Sequence, residues 1–288
     1  MSARDMARVL DAGHVRKRGS ACSAASAGPE RQDAHVGGER TQAVGLPDGI
    51  GACLFDLDGV LTKTAKVHAA AWKEMFDTYL HARSERTGEE FAEFDAHHDY
   101  DRYVDGLPRY DGVRGFLASR EIELAEGDSS DPPGAETVCG LGNLKNELVL
   151  KMIREQGVEA YDGSVDYVRA ARDAGLPRAV VSSSANCKDV LVAAGIDDLF
   201  DQVVDGIVAQ EQNLKGKPAP DTFVYAARAF GLEPAQAAVF EDALAGVGAG
   251  RAGNFGFVVG VDRVGQREAL EEHGADVVVD DLAELLRR

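Results

Sequence analysis

The sequence predicts an α/β protein: a doubly wound, Rossmann-like parallel sheet with a helical cap inserted early. Three observations predict it. An apolar run over 52–55 ends in Asp56-Leu57-Asp58-Gly59, as a buried strand does when it delivers acids to a ligand-binding edge. Residues 84–155 place apolar side chains at helical spacing and contain no convincing strand. From residue 162 onward, short β-rich runs alternate with helical stretches, the pattern of a parallel sheet covered by helices on both faces.

Residues 1–48 mix Ser, Gly, Ala, Arg and His with few large apolar residues and read as a disordered extension. A targeting peptide is the alternative, although no secretory apolar core of about 7–15 residues is present. The strand at 52–56 leads to a helix over 66–83, in which Val67, Ala70, Ala71, Met75 and Phe76 make an apolar face. His68 and Trp72 lie four apart on one side of it. The following block draws its apolar positions from Phe91, Phe94, Tyr100, Tyr103 and the runs 113–117 and 144–153, with a loop at 128–134 marked by Asp, Ser, Pro and Gly. Residues 67–159 are therefore assigned to the cap, and 49–66 with 160–288 to the core. In the core, helix is expected over 165–174, strand over 178–182, helix over 187–194 and a short strand at 203–204. A helix over 220–230 opens with Pro-Asp, good N-terminal residues. A strand over 237–240 runs into Glu241-Asp242. A further strand lies within 253–261, an edge strand at 277–279 and a short helix at 282–287.

With 288 residues, 44% of them hydrophobic, the chain can bury a sizeable core. A net charge of −18 argues against nucleic acid or an anionic membrane as partner, while leaving room for a small phosphorylated substrate beside local lysines. No apolar run approaches the roughly 18–20 residues of a membrane span. Cys22, Cys53, Cys139 and Cys187 are scattered without a Cys-x-x-Cys pair, which suits neither a zinc site nor a disulfide framework and fits reduced thiols in a cytoplasm. A cytoplasmic monomer is the expectation.

Four stretches carry chemistry. Asp56 and Asp58 start on one side of an extended chain, and two carboxylates so close repel if both ionise in a dry site. A divalent metal could hold one while the other carries a proton. Ser182-Ser183-Ser184-Ala185-Asn186 ends a β-branched strand at a helix start, where hydroxyls and N–H groups either bind a phosphate or simply cap the helix. Lys217 in Lys217-Pro218-Ala219-Pro220-Asp221 is held by two prolines, and a fixed ammonium suits a phosphoryl group or the carboxylate that attacks it. Glu241-Asp242 follows an apolar strand and adds oxygen ligands of the kind magnesium takes.

These four stretches, in this order over 52–246, resemble the motifs of the haloacid dehalogenase (HAD) superfamily of phosphoryl-transfer enzymes. An early helical cap, together with Asp56-Leu57-Asp58-Gly59-Val60-x-Thr62-x-Thr64, His68, Trp72, Ser182-x-Ser184-x-Asn186 and Gly106-Leu107-Pro108-Arg109, is similar to the β-phosphoglucomutase-like subfamily. The resemblance implies Asp56 as nucleophile through an aspartyl phosphate, Asp58 as general acid and base, and Ser182 and Lys217 on the transferring phosphoryl group. It implies Mg2+ on Asp56, the Asp58 backbone carbonyl, Glu241 and Asp242. Arg109 would grip the phosphate that is not transferred, with His68, Trp72, Gly106, Ser184 and Asn186 around the sugar. A mutase would also use glucose 1,6-bisphosphate as activator and intermediate; a sugar-phosphate phosphatase with the same site is the alternative, and a non-catalytic phosphosugar binder a third. Three departures bear on the substrate: Asp105 stands where the mutase pattern has a lysine, Lys63 replaces an acid, and the cap is longer around 84–103 and 126–140.

Overall fold

The sheet is built outward from β1 (Ala52–Phe55), whose four residues are fully buried. The computed structural model describes residues 40–287. Strands β2 (Arg178–Val181), β3 (Gln202–Val204), β4 (Ala237–Glu241), β5 (Phe257–Val261) and β6 (Val277–Val279) join it in the order β3-β2-β1-β4-β5-β6, every pairing parallel. The chain leaves β1 for β2 on one side and later returns to β4 on the other. That reversal opens a crevice at the carboxyl end of β1, where open α/β sheets bind ligands.

Alternate residues of β1 feed opposite faces, as the pleat requires. Cys53 and Phe55 join Leu57, Tyr167, Phe240 and Val259 on one face, while Ala52 and Leu54 join Phe223, Val239 and Val258 on the other. The Phe55 ring stacks on Phe240 at 4.4 Å and meets the edge of Tyr167 at 6.1 Å. These rings fix the ends of β1 and β4 side by side, and with them the acids that follow.

Four helices lie between β1 and the return to the core: α1 (Ala65–Thr87), α2 (His98–Tyr103), α3 (Arg109–Ser119) and α4 (Val138–Gln156). They carry a third hydrophobic cluster of their own, which includes Trp72, Phe76, Phe94, Phe116 and Leu141. The core is completed by α5 (Asp162–Asp173), α6 (Cys187–Ala194), α7 (Gly206–Glu211), α8 (Asp221–Ala229), α9 (Leu244–Ala252) and α10 (Arg267–His273). The architecture is thus a doubly wound parallel core with an inserted helical cap.

Some elements differ from expectation. Helix α1 runs four residues beyond 83, to Thr87, where Gly88 at φ 73° ends it in the left-handed conformation. The last helix, Leu282–Arg287, is of the tighter 3-10 kind. Helices α7, α9 and α10 were not foreseen. In α9 the cause is Gly246, Gly248 and Gly250, residues of low helix propensity. Two of them serve packing: a Cβ on Gly246 would overlap the Glu241 side chain, and one on Gly250 would press on Val258 at 3.1 Å.

The extension expected over 1–48 lies, for residues 1–39, outside the described residues. Its last part is no appendage. Val44 and Leu46 are buried in the core, and the Tyr167 hydroxyl donates to the Val44 carbonyl at 2.8 Å. Two apolar residues in a polar stretch are too few to show a period. Leu46→Ala is expected to cost about 2–4 kcal/mol in urea unfolding; an unchanged midpoint would mean that this segment contributes nothing to the fold.

Candidate active site

The crevice collects one group from each neighbouring strand. Asp56 follows β1 directly, its N–H still bonded to the Phe240 carbonyl at 2.9 Å; Ser182 follows β2 in the same way, bonded to Val204 at 3.0 Å; Glu241 ends β4. Lys217, from the loop between α7 and α8, fills the space between them. Its Nζ lies 2.5 Å from Asp56 Oδ1, 2.7 Å from Glu241 Oε2 and 3.2 Å from the Val181 carbonyl. Burial works against the ammonium, but Asp56 and Glu241 outweigh it and hold its pKa above the ordinary lysine range. The lysine is a permanent buried cation.

The acids pay the opposite way. Burial lifts Asp56 to about 6, with Lys217 pulling it back. Burial and then Asp56 lift Glu241 to about 8, and burial, Asp105 and Glu241 hold Asp242 well above the carboxylate range. Asp56, Glu241 and Asp242 each offer an oxygen within 4.8 Å of the others, all three buried. One ammonium cannot neutralise three carboxylates, and an all-oxygen donor set of this charge suits a hard divalent cation such as Mg2+. Gly59 makes the cluster possible: at φ 92°, a Cβ there would lie 1.7 Å from Asp242 Oδ2.

Asp58 points elsewhere. Its carboxylate is not among the three; it accepts from the Thr64 hydroxyl, itself 2.6 Å from that of Thr62. Burial raises the Asp58 pKa, against the Thr64 hydrogen bond.

The cap supplies the facing wall of a cavity of about 820 Å³. His68 Nε2 lies 3.5 Å from Asp58 Oδ1, and its Nδ1 is 3.0 Å from Lys145 Nζ. Burial, reinforced by Lys145, holds the imidazole well below its usual pKa. The ring is therefore neutral; with Nδ1 accepting from the ammonium, the hydrogen sits on Nε2, facing Asp58. Burial likewise lowers Lys145 to about 8. Its ammonium lies 4.8 Å from the Trp72 ring, so Trp72, buried and stacked on Phe76 at 5.3 Å, is chiefly a floor for the lysine. Gly106 at φ 69° and Pro108 turn the chain into α3 and put Arg109 on its first turn, at the cavity. Among the described residues, neither Arg109 nor Lys145 pairs with a carboxylate.

Cap and core touch closely. Ser183 donates to the Gly106 carbonyl at 2.8 Å, and the Asn186 amide to Asn146 at 2.9 Å. Asn186 thus reaches the cap instead of capping its own helix; the Ser184 hydroxyl accepts from the Asn186 N–H at 3.2 Å, and that of Ser182 from the Ser184 N–H at 3.1 Å. Gly216 abuts Pro108 so tightly that a Cβ would come 2.2 Å from its Cγ, and a Cβ on Gly106 would come 3.0 Å from that of Ala243. Asp105, also in the cavity wall, bonds to Tyr100 and is raised to about 7, chiefly by burial.

The structure therefore brings together Asp56, Asp58, Ser182, Lys217, Glu241 and Asp242, with His68, Trp72, Gly106, Arg109, Ser184 and Asn186 around the same cavity. Sequence reasoning missed Lys145 and Asn146, and gave no separate role to Ser183 or Thr64, which lie within its motifs. Lys145 left a signal: it stands on the apolar row Leu141, Lys145, Val149, Ile153, where a charge is out of place.

A family model of haloacid dehalogenase-like hydrolases matches residues 50–254. The chain belongs to this family. A Mycobacterium bovis protein named beta-phosphoglucomutase is 57% identical over 250 residues, covering 86% of this chain and 95% of that one. A Bacillus subtilis beta-phosphoglucomutase is 28% identical over 234 residues, 81% of this chain and 91% of the other. Among solved structures, a beta-phosphoglucomutase from Clostridium difficile matches with a TM-score of 0.64 and 25% identity, over 82% of this chain and 93% of that one. The chain is accordingly an enzyme of the haloacid dehalogenase kind. Among the described residues of this HAD enzyme, no helix is long and apolar enough to cross a membrane. Gly59→Ala is expected to displace the Asp242 carboxylate and weaken Mg2+ binding by about tenfold or more in calorimetric titration; unaltered affinity would remove Asp242 from the metal group.

Proposed function

We propose that this HAD enzyme is a β-phosphoglucomutase, converting β-glucose 1-phosphate to glucose 6-phosphate by Mg2+-dependent phosphoryl transfer through an aspartyl phosphate on Asp56. The observation that carries the reading is the pair of cations without carboxylate partners, Arg109 and Lys145, on the cap wall of the cavity that the nucleophile's crevice opens into. A bisphosphorylated sugar has one phosphate to transfer and one to be held, and the cavity offers a place for each: beside Asp56 and Lys217 in the crevice, and beside Arg109 and Lys145 on the cap. The name of the 57% identical relative supports the same reading.

Asp56, aligned by Lys217 and the Asp58 N–H, attacks phosphorus as the bond to the leaving oxygen breaks. Asp58, whose pKa burial raises, gives a proton to the leaving oxygen. In the return step Asp58 takes the proton from the acceptor hydroxyl, which attacks phosphorus and frees Asp56. Lys217 and Ser182 offset charge on the equatorial oxygens. Asp56, Glu241, Asp242 and the Asp58 carbonyl would hold Mg2+, which supplies further neutralisation of the phosphoryl oxygens. Arg109 and Lys145 grip the other phosphate, and the docked cap keeps water from the phosphoaspartate. Neutral His68 steadies Asp58 from the cap side.

A sugar-phosphate phosphatase is the second reading, favoured by Asp105, an acid in the cavity wall where the mutase pattern has a lysine. Phosphorus NMR with Mg2+, β-glucose 1-phosphate and a trace of glucose 1,6-bisphosphate separates the two. Glucose 6-phosphate with little inorganic phosphate is the expected result; inorganic phosphate as main product overturns the mutase. Asp56→Asn should abolish turnover in the same assay, and near wild-type conversion would remove Asp56 as nucleophile.

Lys145 faces His68, Trp72 and Asp58, with Arg109 close enough to lower its pKa, and it carries charge only below about 8. kcat/KM is expected to fall as pH rises through that value, because the free enzyme loses a phosphate-binding charge. Lys145→Arg, always protonated, should move that limb to higher pH; an unmoved limb would assign it to another group.

A further inference from the structure

We propose that Asn143, on α4, is a positioning residue for Arg109, acting through Tyr110 and tying the phosphate grip to the cap loop 126–137. The inference rests on the reading of Arg109 given above. An arginine side chain loses rotamer freedom when fixed, and among the described residues Arg109 has no carboxylate to fix it. Instead its Nη2 donates to the Tyr110 hydroxyl at 3.1 Å, and its guanidinium sits 4.8 Å from the Tyr110 ring centre. The Tyr110 hydroxyl in turn donates to Asn143 Oδ1 at 2.9 Å.

The direction of this chain is forced. Asn143 Nδ2 gives its two hydrogens to the carbonyls of Ser129 at 3.1 Å and Asp131 at 2.9 Å. Two acceptors on one side oblige the amide oxygen to face Tyr110, and the tyrosine proton is spent there. Only the lone pair of Tyr110 remains, directed at Arg109. The loop that supplies the two carbonyls is itself braced: Asp131 Oδ2 accepts from the Thr137 hydroxyl at 2.6 Å and from the Asp128 N–H at 3.1 Å. Gly142 leaves room for the ring, since a Cβ there would lie 2.7 Å from Tyr110 Cδ1.

Arg114, also in the cavity wall, shows the alternative way to fix a guanidinium. Glu126 grips it at 2.9 and 3.1 Å and Asp111 joins them, so its charge is already answered. Arg109 is held by neutral partners and keeps its full charge for an anion.

The test is steady-state kinetics with β-glucose 1-phosphate on Asn143→Ala, Tyr110→Phe and Arg109→Ala, alone and combined. Asn143→Ala and Tyr110→Phe are each expected to raise KM about tenfold with kcat within about twofold, the second by removing the hydrogen bond to the guanidinium and the first by releasing the hydroxyl that accepts it. In the Arg109→Ala background Asn143→Ala should add nothing, because there is no guanidinium left to place. If Arg109→Ala raises KM and Asn143→Ala does not, or if Asn143→Ala costs the same in both backgrounds, the positioning role is overturned while the function stands. If Arg109→Ala itself leaves KM unchanged, the reading of Arg109 fails, and the positioning role with it.

Discussion

The structure depends on one buried contact, the Lys217 ammonium wedged between Asp56 and Glu241. Carboxylates delivered by neighbouring parallel strands to one crevice repel each other wherever water is excluded. Without a fixed cation between them, the ends of β1 and β4 would be held together by packing alone while their acids pushed apart. The lysine solves this only in part, since burial still lifts Asp56, Glu241 and Asp242. The remaining imbalance is of the sign that a divalent cation would offset.

The cap repeats the arrangement with the signs reversed. Lys145 is buried against Trp72 and a neutral His68, with Asp58 and Arg109 close enough to act on it in opposite directions and, among the described residues, no carboxylate paired with it. Two half-sites of opposite imbalance, one on the sheet edge and one on helices, face each other across a cavity. His68 and Asp58 approach each other across the boundary between them, Nε2 to Oδ1 at 3.5 Å.

The core was legible in the sequence because its signals are local. β1, β2 and β4 are runs of apolar residues that stop at polar ones, and Asp56, Ser182 and Glu241 stand at those stops. Lys217 could be read because prolines fix its neighbours. What stayed hidden depends on contacts between distant residues. Helix α9 is rich in glycine because Glu241 and Val258 crowd it, so propensity argued against a helix that packing enforces. Val44 and Leu46 belong to the core only by virtue of Tyr167 and their neighbours there. Asn186 stands where a cap for its own helix would, yet its amide donates to Asn146, forty residues away. Asp58 sits two residues after Asp56, yet its carboxylate turns to Thr64, a side chain no strand period would have set there.

Gly216 and Gly106 lie where the cap meets the core, against Pro108 and Ala243. The fit there is set by missing carbon atoms: a methyl group on either glycine would act as a doorstop. An enzyme that passes a phosphoryl group between two hydroxyls competes at every cycle with water, which is present at far higher concentration. Its fidelity then rests on how completely the two halves shut, more than on any group that reacts. Drift at these two unreactive positions is a short route by which a scaffold of this kind would change from transferring phosphate to releasing it.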